Sequence, residues 1–216
     1  MKKLLWSALF AASIHGAAVA QQFEVSAFGG YPRFHHPLLG SLSETPVDTD
    51  TQLRRAHYFV GVRATWNSKG YYGHELEYSV QHMAFRTMDT QTDEDGNSVS
   101  TLYTDKIKLQ MISYNFLLYC MPRGERWRPF FTGGVQRYKY SAPHFDVWPG
   151  GGSGNYGFNF GGGVKIKLFP HALARLDLRE RIGGRPYIRQ LQFSSTTLST
   201  GFTHLAEASV GFGIAF

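Results

Sequence analysis

A chain of 216 residues with 24 Gly, 15% aromatic and only 18% charged residues is not built on long amphipathic helices, and a formal charge of +6 is too mild to point to nucleic acid as a partner. Beyond the first 20 residues, no stretch approaches the roughly 20 consecutive apolar residues of a membrane-spanning helix, which leaves a soluble fold or a membrane barrel of strands. The single cysteine, Cys120, excludes an intramolecular disulfide.

Residues 1–20 read as a cleaved secretory signal. Lys2 and Lys3 form the basic start and residues 4–14 the apolar middle. Ala18-Val19-Ala20 is an Ala-x-Ala cleavage site that leaves Gln21 as the first mature residue. No cysteine stands there to carry a lipid anchor. Losing Lys2 and Lys3 lowers the formal charge from +6 to +4. Residues 21–216 are then expected to form one barrel domain.

A transmembrane strand needs about 9–11 residues that alternate between lipid and lumen. The first such segment is 22–31, with Phe23, Val25, Ala27 and Tyr31 outward and Glu24, Ser26 and Phe28 inward. The second, 56–66, turns Tyr58, Val60, Val62, Ala64 and Trp66 outward, and a short turn follows at 67–70. The third, 71–85, sets Leu76, Tyr78 and Val80 against Glu75, Glu77, Ser79 and Gln81.

The fourth, 105–119, changes phase along its length. Its first half places Ile107, Leu109 and Met111 outward and Lys108 and Gln110 inward; its second half places Ile112, Tyr114, Phe116 and Leu118 outward. A β-bulge near 111–113, or apolar filling of the barrel's lower interior, would each account for the shift.

The fifth strand is 127–140. The sixth, 155–168, carries Tyr156, Phe158, Phe160, Val164, Ile166 and Leu168 on one face, and Pro170 stops the ladder after it. In the seventh, 172–182, Ala174, Leu176 and Leu178 oppose Arg175, Asp177, Arg179 and Arg181. The eighth, 203–216, alternates to the terminal Phe216 through Val210, Phe212 and Ile214. Short connections after the second, fourth and sixth strands alternate with long ones at 32–55, 86–104, 141–154 and 183–202. This is how an all-β, eight-stranded, antiparallel up-and-down transmembrane barrel is laid out.

Together with the signal and the terminal Phe216, these features resemble the OmpA/OmpX-type small outer-membrane β-barrels. The segments Tyr114-Asn-Phe-Leu-Leu-Tyr119 and Arg128-Pro-Phe-Phe-Thr-Gly-Gly-Val135 resemble the strand-turn-strand of generic outer membrane protein β-barrel domains. The resemblance implies residence in the cell outer membrane with both mature termini in the periplasm. It also implies a barrel-assembly machinery that reads Val210, Phe212, Ile214 and Phe216. The peptidoglycan-binding domain of full-length OmpA-type proteins is absent from this sequence, so no cell-wall tether is implied.

An Arg or Lys on the lipid face near the midplane costs about 2–4 kcal/mol, which turns Arg63, Lys108, Lys165, Lys167, Arg175 and Arg179 toward the lumen. Alternation puts Glu24, Glu75, Glu77, Asp177 and Glu207 on the same side. An eight-stranded barrel is only wide enough for side chains to fill it, so these charges must pair. A turn centred on Lys69 sets Arg63 opposite Glu75. Arg179 meets Glu207 from the adjacent strand, and Glu24 joins them if the first and last strands meet. A salt-bridge plug explains this set more simply than an ion path or a catalytic carboxylate pair.

Other motifs carry less. Gly152-Ser-Gly-Asn-Tyr-Gly157 matches G-x-G-x-x-G but enters a strand and opens no helix. Gly161-Gly-Gly163 suits close strand packing or a bend. His35-His36 point to opposite sides of an extended chain and make a poor chelator. Asp89, Asp93, Glu94 and Asp95 lack the EF-hand pattern and read as a solvated loop. Arg33, Arg54, Arg55, Arg185 and Arg189 in the loops read first as solvated charge, with contact to lipopolysaccharide phosphates as the alternative. No His-x-Ser pair occurs, so the strand-borne dyad of outer-membrane lipid A deacylases has no counterpart.

The expectation is a structural or surface-interacting barrel with a filled lumen, without catalytic residues, cofactor or metal. Its partners are outer-membrane lipid or lipopolysaccharide, the assembly machinery and an extracellular ligand at the loops. A lipid A-modifying enzyme and a small-solute pore are the alternatives.

Overall fold

The computed structural model describes residues 22–35, 38–40, 51–92, 95–146, 148, 150–189, 191 and 201–216. The signal segment, with Ala18, Ala20 and Gln21, lies outside them. The strands are β1 (Phe23–Phe34), β2 (Leu38–Gly40), β3 (Thr51–Lys69), β4 (Tyr72–Thr92), β5 (Ser98–Tyr119), β6 (Trp127–Tyr140), β7 (Ser153–Lys167), β8 (Ala172–Gly184) and β9 (Phe202–Ala215). No described residue is helical.

Each long strand pairs antiparallel with its chain neighbour, and β1 pairs with both β9 and β3, so eight strands close into an up-and-down barrel. Closure removes the sheet edges that a hydrocarbon environment does not tolerate. The ninth strand, β2, adds a short rung beside β3 at the loop end.

Several strands run past the lengths expected from alternation. β4 has 21 residues and β5 has 22, about twice what a membrane crossing needs. Much of the expected long connection 86–104 is therefore ladder, with continuous register from Tyr72↔Leu118 to Thr92↔Ser98.

That register corrects the reading of β5. Ile107, Leu109 and Met111 face inward and are fully buried, whereas Lys108 is exposed on the outer wall. No bulge interrupts the β4–β5 pairing. The phase shift has another physical origin. In the membrane the wall is apolar outside and polar inside; above it, water lies outside, and the apolar side chains turn inward. The apolar residues of this half fill the loop end, and a second, smaller apolar cluster of Leu117, Tyr119 and Phe130 sits in the lower interior near the short turns.

The loop-end core joins Leu39, Leu53, Met83, Phe85, Ile107, Leu109 and Met111 to Tyr138, Tyr140, Trp148, Tyr187 and Leu191. Its keystone is Tyr187, fully buried at φ 59° in the connection after β8. Its ring lies 5.0 Å from Trp148, 5.5 Å from Phe85 and 5.9 Å from Tyr140. Its hydroxyl donates to the Ser141 carbonyl at 2.6 Å. A left-handed backbone costs a non-glycine residue about 1–2 kcal/mol, which this packing offsets. Burial also pushes the phenol far above its ordinary pKa, so it stays a donor.

Tyr138 needs room that only glycine leaves. A Cβ on Gly183 would stand 1.8 Å from its hydroxyl oxygen, and one on the facing Gly157 would stand 2.3 Å away. Gly161 and Gly163 serve close strand approach, their hypothetical Cβ atoms falling 2.2 and 2.1 Å from carbonyl oxygens of β8.

Candidate functional site

Below the loop-end core the lumen is ionic. Asp177 on β8 takes a two-pronged contact from Arg175, Nε–Oδ2 2.9 Å and Nη2–Oδ1 2.8 Å, and accepts from Arg63 Nη1 at 2.8 Å. Arg63 also donates to Glu77 at 2.7 Å. Glu75 accepts from Arg179 at 2.7 Å, from Asn115 at 3.1 Å and from Arg175. Arg179 also approaches Glu77 at 3.3 Å. Arg181 donates to Glu207 at 2.6 Å and to Gln136 at 2.8 Å, and reaches Glu77 as well. Nearer the short turns, Glu24 accepts from Lys165 and from Asn67 Nδ2 at 2.8 Å, and Lys165 donates to the Tyr119 hydroxyl at 2.7 Å.

All nine network positions expected from alternation thus lie buried inside: Glu24, Arg63, Glu75, Glu77, Lys165, Arg175, Asp177, Arg179 and Glu207. Their partners differ from the expected ones. The turn is centred past Lys69, with Lys69 paired to Tyr72, so Arg63 stands opposite Glu77, and Thr65 stands opposite Glu75. Arg179 is opposite Glu207 in register, yet the ion pair of Glu207 is with Arg181. β1 does meet β9, but Glu24 pairs with Lys165 across the lumen.

Arg128 also belongs to the interior, as does Arg181, which shares the inward face of its strand with Arg179. The alternation that placed Arg179 also places Arg181, and Arg128 begins the inward face of β6. Aromatic faces complete the shell. The guanidinium of Arg63 lies 3.7 Å from the Phe28 centroid, that of Arg128 3.7 Å from Tyr119, and that of Arg175 4.4 Å from Phe130. A weakly hydrated guanidinium on a ring face loses less by leaving water than an ammonium would.

The outer wall is the complement of this interior. Val25, Val62, Leu76, Tyr114, Phe131, Phe158, Leu178 and Phe212 are all exposed. One aromatic girdle includes Phe23, Trp66, Tyr72, Trp127 and Phe216 near the short turns; Tyr31, Tyr58, Tyr78 and Tyr156 form another toward the loops. Val210, Phe212, Ile214 and Phe216 all lie exposed on the outer wall. Lys167 is half-buried at the rim beside the short turns, and Cys120 is exposed in the turn after β5.

The loop-end rim holds one cluster that the sequence did not announce. Glu180 Oε2 lies 3.2 Å from His35 Nε2, and Glu180 Oε1 lies 3.4 Å from His204 Nδ1. His144 pairs with Asp105 at 3.0 Å, and His74 with the Tyr114 hydroxyl at 2.8 Å. None of these contacts joins a histidine to a serine, threonine or cysteine. No group of three candidate ligands suited to a metal ion occurs among the described residues. Arg33 and Arg189 are exposed, Arg185 is buried, and His36, Asp93 and Glu94 lie outside the described residues, as do the side chains of Arg54 and Arg55.

An apolar belt around a closed, ion-filled, eight-stranded barrel defines a transmembrane β-barrel. Among solved structures the chain is similar to the outer membrane protein OprG from Pseudomonas aeruginosa, at 13% identity and TM-score 0.55 over 91% of this chain and 97% of that one. It is similar to the N-terminal β-barrel domain of Pseudomonas aeruginosa OprF at 12% identity and TM-score 0.52 over 91% and 99%. Neisserial surface protein A matches at 13% identity and TM-score 0.50, also over 91% and 99%. At these identities the likeness is one of fold. No family model and no curated protein matches the chain.

Proposed function

We propose that this chain is an integral outer-membrane protein whose role is structural or surface-interacting, exerted through its loop end and not through transport or chemistry. The observation that supports this reading is the lumen. Interlocked ions fill its membrane-level part, and the apolar cluster around Tyr187 closes its upper end. A solute would have to break buried ion pairs to pass, which costs several kcal/mol for each uncompensated charge.

In this reading both mature termini and the short turns face the periplasm, and the loops face outward to meet an extracellular ligand. Lipid, including lipopolysaccharide, surrounds the belt, and the assembly machinery reads Val210, Phe212, Ile214 and Phe216.

The test is fractionation with boiled and unboiled gels, followed by planar-bilayer recording on the refolded chain. A heat-shifted band in the outer-membrane fraction, without stepwise conductance, is expected. Steady conductance steps would favour a small-solute pore. A changed lipid A mass spectrum on expression would favour a lipid-modifying enzyme. Phe216→Ala is expected to insert poorly and accumulate in the periplasm; normal surface levels would remove the assembly role of that residue.

A further inference from the structure

The outer wall changes character along one arc of the rim. On β5 the exposed apolar face ends at Ile112 and continues upward as Gln110, Lys108 and Lys106; on β6 it ends at Val135 and continues as Arg137 and Lys139. Arg137 stands opposite Ile112 and Lys139 opposite Gln110. Four cations therefore crowd onto two adjacent strands.

None of them has an ion-pair partner among the described residues. Asp105, the nearest acid in sequence, is engaged by His144, and Arg137 has only the Tyr156 ring, 5.6 Å away. The far side of the rim, by contrast, presents Glu180 flanked by His35 and His204. The basic arc is thus a local feature and not a general property of the rim.

Its height is set by the strand. Arg137 is ten residues above Trp127, and at about 3.4 Å per residue and a tilt near 40° this is roughly 26 Å, close to the full height of an apolar belt (about 25 Å). The cations stand where the hydrocarbon ends and headgroups begin.

A groove of ≈ 450 Å³ opens at the foot of this arc, lined by Arg137 and Lys139 with Tyr78, Gln110, Ile112 and the side-chain-free Gly154; Lys108 and Lys106 continue the basic face of β5 beyond its edge. The groove's volume is within the roughly 300–1,000 Å³ of small-ligand clefts. Gln110 donates to the Tyr78 hydroxyl at 3.0 Å, which adds a fixed polar edge. Below it, the wall is apolar through Val135 and the facing Phe158.

We propose that this groove is a headgroup site for a phosphorylated glycolipid of the outer leaflet. Arg137 and Lys139 on the groove wall hold its phosphate, Lys108 just beyond the groove's edge adds positive potential, and Ile112, Val135 and Phe158 carry its acyl chains. The site rests on the outer-membrane placement proposed above. Its chemistry follows from the juxtaposition. Unpaired cations at a membrane surface attract anionic headgroups, and a guanidinium grips phosphate with parallel donors. The apolar wall continuing beneath the cations selects an amphiphile over free phosphate.

The test uses the full mature chain refolded into phosphatidylcholine nanodiscs doped with bisphosphorylated lipid A or with the same lipid stripped of phosphate. Lipid retained after detergent extraction is counted by native mass spectrometry, and the gel heat shift of the same samples reads barrel closure separately. Wild type is expected to retain the bisphosphorylated form and release the stripped one. K108Q/R137Q/K139Q is expected to lose retention by about a hundredfold, and the single K139Q variant, whose exposed side chain supports no packing, by about fivefold. R33Q/R189Q, altered elsewhere on the loop side, is expected to match wild type. Equal retention by wild type and K139Q, or equal retention of the two lipids, overturns the site. Loss in R33Q/R189Q alone overturns it too, by moving the binding to the loops.

Discussion

The two halves of the barrel obey opposite rules. At membrane level Leu76, Ile112 and Val135 face out while Glu75, Asn115 and Gln136 face in; above it His82, Lys108 and Lys139 face out while Met83, Leu109 and Tyr140 face in. The backbone does not change: β4 and β5 stay in register throughout. What changes is the solvent. Lipid rewards an apolar exterior and leaves a narrow interior to be filled by paired ions, whereas water restores the ordinary hydrophobic drive inward. The reversal on β5 between Met111 and Ile112 is where one solvent gives way to the other.

The largest effect expected from breaking this contrast lies in the ionic half. Glu75→Ala leaves Arg175 and Arg179 each short of a partner and is expected to cost about 3–5 kcal/mol in denaturant unfolding of the refolded barrel. Arg63→Leu, which uncouples Glu77 from Asp177, belongs to the same class, and unchanged survival of the folded form on a heat-modifiability gel would contradict it. In the apolar half Leu109→Ala should cost about 2–4 kcal/mol by leaving a cavity.

Gly183→Ala comes next. It forces its methyl onto Tyr138, with an expected cost of about 1–3 kcal/mol. Tyr138→Leu should recover part of that cost in a double-mutant cycle, and strict additivity would show that the clash is relieved elsewhere.

The smallest effect concerns Asp105. Burial opposes its charge, but hydrogen bonds from the His144 backbone and ring and from the Lys106 amide hold its pKa below the ordinary value. A depressed carboxylate contributes fully above the unfolded pKa of about 3.9 and loses that contribution as pH falls through the lower folded value. The protection factor of the His144 amide, its exchange relative to an unstructured amide at the same pH, is expected to be high at neutral pH and to fall below that point. Asp105→Asn should show the low protection factor at every pH.

Alternation exposed the lipid face of β1, β3 and β4 and the inward set from Glu24 to Glu207, because a charge in an apolar wall has nowhere else to go. It did not expose who pairs with whom. The turn is centred past Lys69, with Lys69 paired to Tyr72, and this moves the partner of Arg63 by two positions, from Glu75 to Glu77. Long arginines then reach across the lumen, so Arg175 on β8 meets Glu75 on β4. Such contacts depend on barrel diameter, which no single strand encodes. The inward turn of Ile107, Leu109 and Met111 escapes alternation for a simpler reason: the rule of apolar residues outward holds only up to the membrane surface. Glu180 on β8, His204 on β9 and His35 just past the end of β1 meet only because those strands are neighbours.

One feature of the ladder bears on how such a surface can change. β6 reaches β5 only as far as Leu109, and β3 reaches β4 only as far as Arg86. From Met88↔Leu102 to Thr92↔Ser98 the chain is therefore a two-stranded ribbon with no third strand paired to it. A lone ribbon adds little stability, so little is lost when it is rewritten. The tip at residues 95–97 is a natural graft point. A foreign peptide spliced there would be presented beyond the loop end while the wall below folds as before. Selection has the same freedom: what the tip presents and how the barrel inserts are decided by different residues and can drift apart.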